Sequence, residues 1–166
     1  MDIREALAAE HSKRQTMTIV DYIGDDAKRF AELMSVFFEG EYRLTQRAAW
    51  PMSYVAIRQP QLIQQYLRRL VDQLERKDVH NAVRRNVVRL LEDIEIPNNL
   101  KGRVYTICID LLDDVREPVA VRAFAMTVAA KIAKVEPDLL SELRLVIKTH
   151  LPNFSAALRA RARNIL

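Results

Sequence analysis

Glycine is nearly missing from this sequence. Three glycines, Gly24, Gly40 and Gly102, occur in 166 residues, about a quarter of ordinary usage. Phosphate-cradling loops, dinucleotide fingerprints and nucleophile elbows all require clustered glycines. These three lie far apart, which excludes that group of chemistries. Cysteine is scarcer still: Cys108 is the only one, so neither an internal disulfide nor a cysteine-built zinc site can form. It sits in Val-Tyr-Thr-Ile-Cys-Ile, an apolar run that predicts a buried, inert thiol rather than a nucleophile. Long apolar runs are lacking too. The charge-free stretch at 123–130, Ala-Phe-Ala-Met-Thr-Val-Ala-Ala, falls well short of the roughly 18 residues a membrane span needs. The charged start, Met-Asp-Ile-Arg-Glu, has no signal-peptide core. A soluble, cytoplasmic protein without membrane contact is expected.

What is present in quantity is charge and apolar surface. Hydrophobic residues make up 49% and charged residues 29%, with a net charge of +4. The charge is unevenly spread: residues 1–42 sum to −4 and residues 43–166 to +8, and no acid follows Glu142. Arginine outnumbers lysine nineteen to seven. The planar guanidinium suits carboxylates and phosphates better than an ammonium does, so this composition permits contact with nucleic acid without establishing it.

Helical periodicity runs through almost the whole chain, and strand signals are absent. Val83, Val87, Leu90, Leu91 and Ile94 follow the spacing of one buried helix face, as do Val121, Ala125, Val128, Ala129 and Ile132. Start and stop signals predict about ten helices, near 3–11, 13–23, 26–38, 41–57, 60–76, 79–95, 99–113, 118–135, 138–149 and 154–165. Pro60, Pro97 and Pro137 suit first helical turns, where an N–H would have no partner in any case. Asp25, Asp78 and Asn98 can supply N-cap oxygens, and Gly24 and Gly40 suit helix C-termini. The connections are short, so neighbouring helices should run antiparallel.

The helices align with one another. Thr45, Val83, Val121 and Leu158 form one column, and Gln46, Arg84, Arg122 and Arg159 the next. Ala49, Val87, Ala125 and Ala162 form a third column, and Met52, Leu90, Val128 and Ile165 a fourth, at spacings of 38, 38 and 37 residues. Apolar residues recurring at fixed offsets imply helix pairs that cannot bury their faces alone and must stack on neighbours. The Val-Arg-x-x-Val/Ala-x-x-Leu/Val pattern at Val83-Arg84 and Val121-Arg122, and more loosely at Leu158-Arg159, resembles the second helix of HEAT repeats. The resemblance covers about residues 41–166. It implies an all-α fold: a short right-handed α-solenoid of antiparallel helix pairs, HEAT- or armadillo-like, with second helices lining a concave face. A single domain over 1–166 is expected, with degenerate helices at 1–40 and three to four repeats over 41–166. The tetratricopeptide pattern fits less well, since its Trp…Leu-Gly…Tyr arrangement is missing. Gln46 and Pro51 depart from the HEAT pattern in the second unit.

No catalytic constellation stands out. His11, His80 and His150 are about seventy residues apart, in no ligand-spaced pair, and are expected at surfaces or caps. Asp25-Asp26, Asp113-Asp114 and Glu92-Asp93-Glu95 fit helix ends. The Arg84/Arg122/Arg159 column fits structural pairing, with Asp78, Asp113 or Asp114 as partners, better than a phosphate ladder. Arg47, Trp50, Tyr54, Arg85 and Arg89 are the candidate partner-binding residues, a basic-aromatic patch on the concave surface. Trp50 shares a column with Val88 and Met126, which also fits inter-repeat packing. Pro51 should kink its helix. Arg161 and Arg163, aligned with Phe124 and Met126, suit a polar terminal cap.

The leading functional expectation is a non-catalytic interaction or scaffold module for a protein or peptide partner, with no cofactor and no metal. The alternative is a nucleic-acid-binding protein, in the extreme a HEAT-like DNA glycosylase, since some of those enzymes use this architecture. Weak head-to-tail self-association is a further expectation, from the acidic start and basic end.

Overall fold

The computed structural model describes residues 1–39 and 41–166. The expected helix-ending role of Gly40 therefore lies outside the described residues. Among the described residues there are eleven α-helices, two 3₁₀ turns and no strand. The order is α1 (Ile3–Ala9), α2 (Lys13–Ile23), α3 (Ala27–Glu39), α4 (Tyr42–Arg58), α5 (Pro60–Ile63), a 3₁₀ turn (Gln64–Tyr66) and α6 (Leu67–Glu75). Then come α7 (Asn81–Asp93), α8 (Asn98–Asp113), α9 (Val119–Ala133), α10 (Pro137–His150), a second 3₁₀ turn (Leu151–Asn153) and α11 (Ala156–Arg163). The all-α expectation holds. The one predicted helix that does not survive intact is 60–76. It tightens into 3₁₀ bonding at Gln64–Tyr66, with Leu67 N–H donating to Gln64 O. Apolar spacing does not distinguish one turn of i→i+3 bonding from i→i+4.

The helix starts are set by side chains close to, but not always at, the expected residues. Asp26 rather than Asp25 opens α3, its Oδ1 accepting from Lys28 N at 2.8 Å and Arg29 N at 3.1 Å. Those N–H donors hold the Asp26 carboxyl below the ordinary range. His80 rather than Asp78 opens α7, with Nδ1 accepting from Ala82 N at 3.0 Å. Asp78 turns back to the Arg76 guanidinium instead. Pro60 and Pro137 occupy first-turn positions. Pro97 and Pro118 sit one step earlier, as the caps of α8 and α9, so Asn98 is the first helical residue and not the cap. Gly24 ends α2 at φ +52° and ψ −120°, a conformation that favours a residue without Cβ.

The chain forms two compact units, Met1–Arg69 and Leu70–Leu166. In the first, α4 packs on α1, α2 and α3, burying Ile19, Phe30, Leu33, Met34 and Met52. Phe30 meets the edge of Tyr66 at 5.6 Å between ring centroids. Pro51 is buried inside α4, and the helix runs on across it to Arg58.

In the second unit α9 is central, packing against α7, α8, α10 and α11. The charge-free stretch at 123–130 belongs to this helix. Val121, Ala123, Ala125, Met126, Val128, Ala129 and Ala133 are all buried, and a helix apolar on every side is one enclosed by neighbours. Its alanines let those neighbours approach closely. α7, α9 and α11 form one row, while α8 and α10 pack together beside it. Cys108 is fully buried in α8, and desolvation pushes its thiol up to about 12, which leaves it protonated and unreactive at neutral pH. Tyr105, also on α8, donates its hydroxyl to Leu139 O at 2.7 Å, and burial raises its phenol above the ordinary value.

Candidate interaction surface

An α-helix leaves four carbonyls without intrahelical donors at its C-terminal end. A glycine in a left-handed cap is one common remedy. With so few glycines, this chain uses basic side chains from elsewhere in the same unit. Arg47 on α4 donates from Nη1 to Leu7 O at 2.9 Å and Ala8 O at 3.0 Å, closing α1. Even α2, which Gly24 ends, receives a further donor, from Arg29 to Tyr22 O at 2.6 Å. Lys131 on α9 donates to Leu91 O at 3.0 Å, Glu92 O at 3.3 Å and Ile94 O, closing α7. Arg122 donates from Nε to Leu112 O at 2.9 Å, closing α8. A cation at this end also answers the negative pole of the helix dipole.

The aligned arginines are taken up inside the fold, and of the expected aspartates only Asp114 feels one of them, through the charge of Arg122. Arg84 pairs with Glu117 at 3.1 Å, with side chains 17% and 11% exposed, and also donates to Asn81 Oδ1 at 2.9 Å. Arg122 is 7% exposed, and its guanidinium lies 5.4 Å from the Phe154 ring. Arg159 donates to Phe154 O and Pro152 O. Asp114 is taken by Arg116, whose hydrogen bonds bring its carboxyl down to about 2. Asp113 faces His150 Nε2 at 2.6 Å. On α11, Arg161 reaches Glu92 at 2.7 Å and Thr127 Oγ1 at 2.6 Å, with its guanidinium 5.1 Å over the Phe124 ring. It is thus an internal tie rather than the solvated cap residue expected from its column.

The candidate residues fall into two sets. Arg47, Trp50 and Tyr54 lie on α4 of the first unit, at offsets of three and seven that put them on one side of the helix. All three are half-buried. Arg47 is committed to the end of α1, and Trp50 meets the edge of His11 at 5.5 Å. Arg85 and Arg89 lie on α7 of the second unit, one turn apart. Arg85 is half-buried and Arg89 exposed, and neither has a hydrogen bond or ion pair among the described residues. Most other arginines have one. A groove of about 700 Å³ near the start of α7 is lined by charges such as Arg84, Glu117, Asp114 and Arg116, which are already paired with one another. Among the described residues no cluster of His, Cys, Asp and Glu could hold a metal ion.

A family model described as a HEAT repeat domain matches residues 3–166. The chain belongs to the HEAT-repeat family. In the repeat columns, Ala49, Val87, Ala125 and Ala162 are all buried, as are Met52, Leu90 and Val128. No curated protein and no solved structure matches the chain. HEAT repeats serve generally as scaffold and interaction modules, and the family is typically non-catalytic. No described helix of this HEAT chain is long and apolar enough to cross a membrane.

One set of residues escaped the sequence reading. Lys134 and Arg144 border a groove formed with Leu140 and Ile165, yet no column or motif joins them. For Arg144 the signal was the lack of acid after Glu142; nothing in the sequence marked Lys134.

Proposed function

We propose that this HEAT chain is a non-catalytic interaction module that holds a protein or peptide partner through the exposed side of α7, with Arg85 and Arg89 as the principal contacts. The observation that carries the reading is the contrast among the cations. Arg47, Arg84, Arg122, Arg159, Arg161 and Lys131 are all spent on carbonyls or carboxylates of their own unit. Arg85 and Arg89 are not, although holding two guanidinium groups side by side on one helix face is unfavourable without a countercharge. An acidic partner supplies that countercharge, and arginine is enriched where interfaces concentrate their binding energy. Trp50 and Tyr54 on α4, half-buried aromatics, are proposed as a second contact strip in the first unit.

Nucleic-acid binding rests on the same positive charge and is weakened by the same contrast, since so many of the arginines neutralise internal groups. The test is affinity capture with wild-type protein and an Arg85→Glu, Arg89→Glu double variant whose circular dichroism matches wild type. Partners retained by wild type should be lost from the variant. Capture unchanged by the double variant would overturn the assignment to α7, and a salt-sensitive mobility shift on DNA or RNA would favour the alternative.

A further inference from the structure

We propose that the groove between α9, α10 and the turn after α11 is a separate binding site, for an acidic peptide segment that also carries aliphatic side chains. The groove lies wholly within the second unit and encloses about 470 Å³. Four cations border it, Lys131 from α9, Lys134 just beyond the end of α9, Arg144 from α10 and Arg161 from α11, and no carboxylate lines it. Ala130, Leu140 and Ile165 supply an apolar floor.

The cations differ in how far they are committed. Arg161 is held by Glu92 and Thr127. Lys131 donates to the carbonyls of Leu91, Glu92 and Ile94 at the end of α7, and the carboxylates of Glu92, Asp93 and Glu95 also act on its charge. Lys134 is exposed and has no partner among the described residues. Arg144 uses only Nε, which donates to Ile165 O at 2.9 Å. That bond orients the guanidinium and leaves both Nη groups to grip a carboxylate as a fork. Lys134 and Arg144 therefore offer uncommitted positive charge to a groove whose lining also includes Ala130, Leu140 and Ile165.

The floor decides between classes of occupant. No aromatic ring lines the groove, so it has no platform for stacking bases, the sequence-tolerant element of single-stranded nucleic-acid recognition. Leu140, Ala130 and Ile165 instead suit an aliphatic side chain, with carboxylates on either side of it reaching Lys134 and Arg144.

The probe is a fluorescein-labelled octapeptide of alternating glutamate and leucine, titrated into the full chain at low salt and followed by anisotropy and by amide shifts of labelled protein. Binding should be saturable, with shifts centred on Ala130, Lys134, Leu140 and Ile165. Lys134→Glu with Arg144→Glu should weaken it by at least about tenfold. Arg85→Glu with Arg89→Glu should leave it within about twofold, which separates this site from the α7 surface. Several results would overturn the proposal: equal binding of a lysine–leucine octapeptide, tighter binding of oligothymidylate in the groove, or shifts centred elsewhere. So would unchanged affinity in a Lys134→Glu, Arg144→Glu variant that keeps wild-type circular dichroism, or a groove that serves only self-association of the chain.

Discussion

Arg122 is the most informative single residue to perturb. It is 7% exposed, its Nε closes α8 through Leu112 O, and one terminal nitrogen, Nη2, is buried without a partner. Arg122→Ala removes two stem methylenes worth ~0.8 kcal/mol each. It also orphans the Leu112 carbonyl, a buried acceptor whose loss of partner costs ~1–3 kcal/mol. Release of an incompletely satisfied buried charge offsets part of this. The net expectation is a loss of ~3 kcal/mol, and for a chain of this length a fall in Tm of roughly 6–12 °C. Arg122→Met keeps most of the stem volume and also releases the charge, so it should lose only ~1 kcal/mol. Urea unfolding followed by far-ultraviolet circular dichroism measures both, because it sees helices in both units, whereas the fluorescence of Trp50 reports on the first. A loss below about 1 kcal/mol for Arg122→Ala, or equal losses for the two variants, would refute the view that stem and carbonyl cap together secure this helix end.

Two further outcomes follow from local geometry. Gly24→Ala should cost ~1–2 kcal/mol in the same unfolding assay, because φ is +52° while the nearest atom to an added Cβ, Asp21 O, lies at a comfortable 3.8 Å; the penalty is conformational, and an unchanged midpoint would refute it. Asp114, which Arg116 holds down to about 2 against an ordinary value of 3.8, contributes stability that is present above the ordinary value and lost as pH falls through about 2. Carboxyl NMR titration should place its midpoint there, and Arg116→Ala should move it up toward 3.8.

The fold was largely legible because its signals are local. Every uninterrupted helix predicted from periodicity and punctuation appears with ends within two residues of those expected, since a 3.6-residue apolar period and a capping side chain act within one or two turns of the chain. The repeat columns were legible for a related reason: Ala49, Val87, Ala125 and Ala162 are all buried, and each marks the apolar face of its own helix. The misplaced caps show the limit of such reasoning. Asp78 and Asn98 carry suitable oxygens, but Asp78 is bound by Arg76, and Asn98 follows Pro97 into the helix.

The candidate surface was much less legible. Arg47 and Arg85 stand 38 residues apart, the repeat spacing, and share a residue type, yet Arg47 closes the end of α1 while Arg85 is unpaired. Nothing within a few residues of either predicts this, because the carbonyls Arg47 reaches belong to residues forty positions away. By itself, the sequence determined the helices, their repeat and the absence of glycine-built sites. Tertiary structure alone decided what the arginines are for. A shortage of glycine leaves helix-end carbonyls to be satisfied by distant cations, and only the packed chain distinguishes the guanidinium groups absorbed in that task from those left to meet a partner.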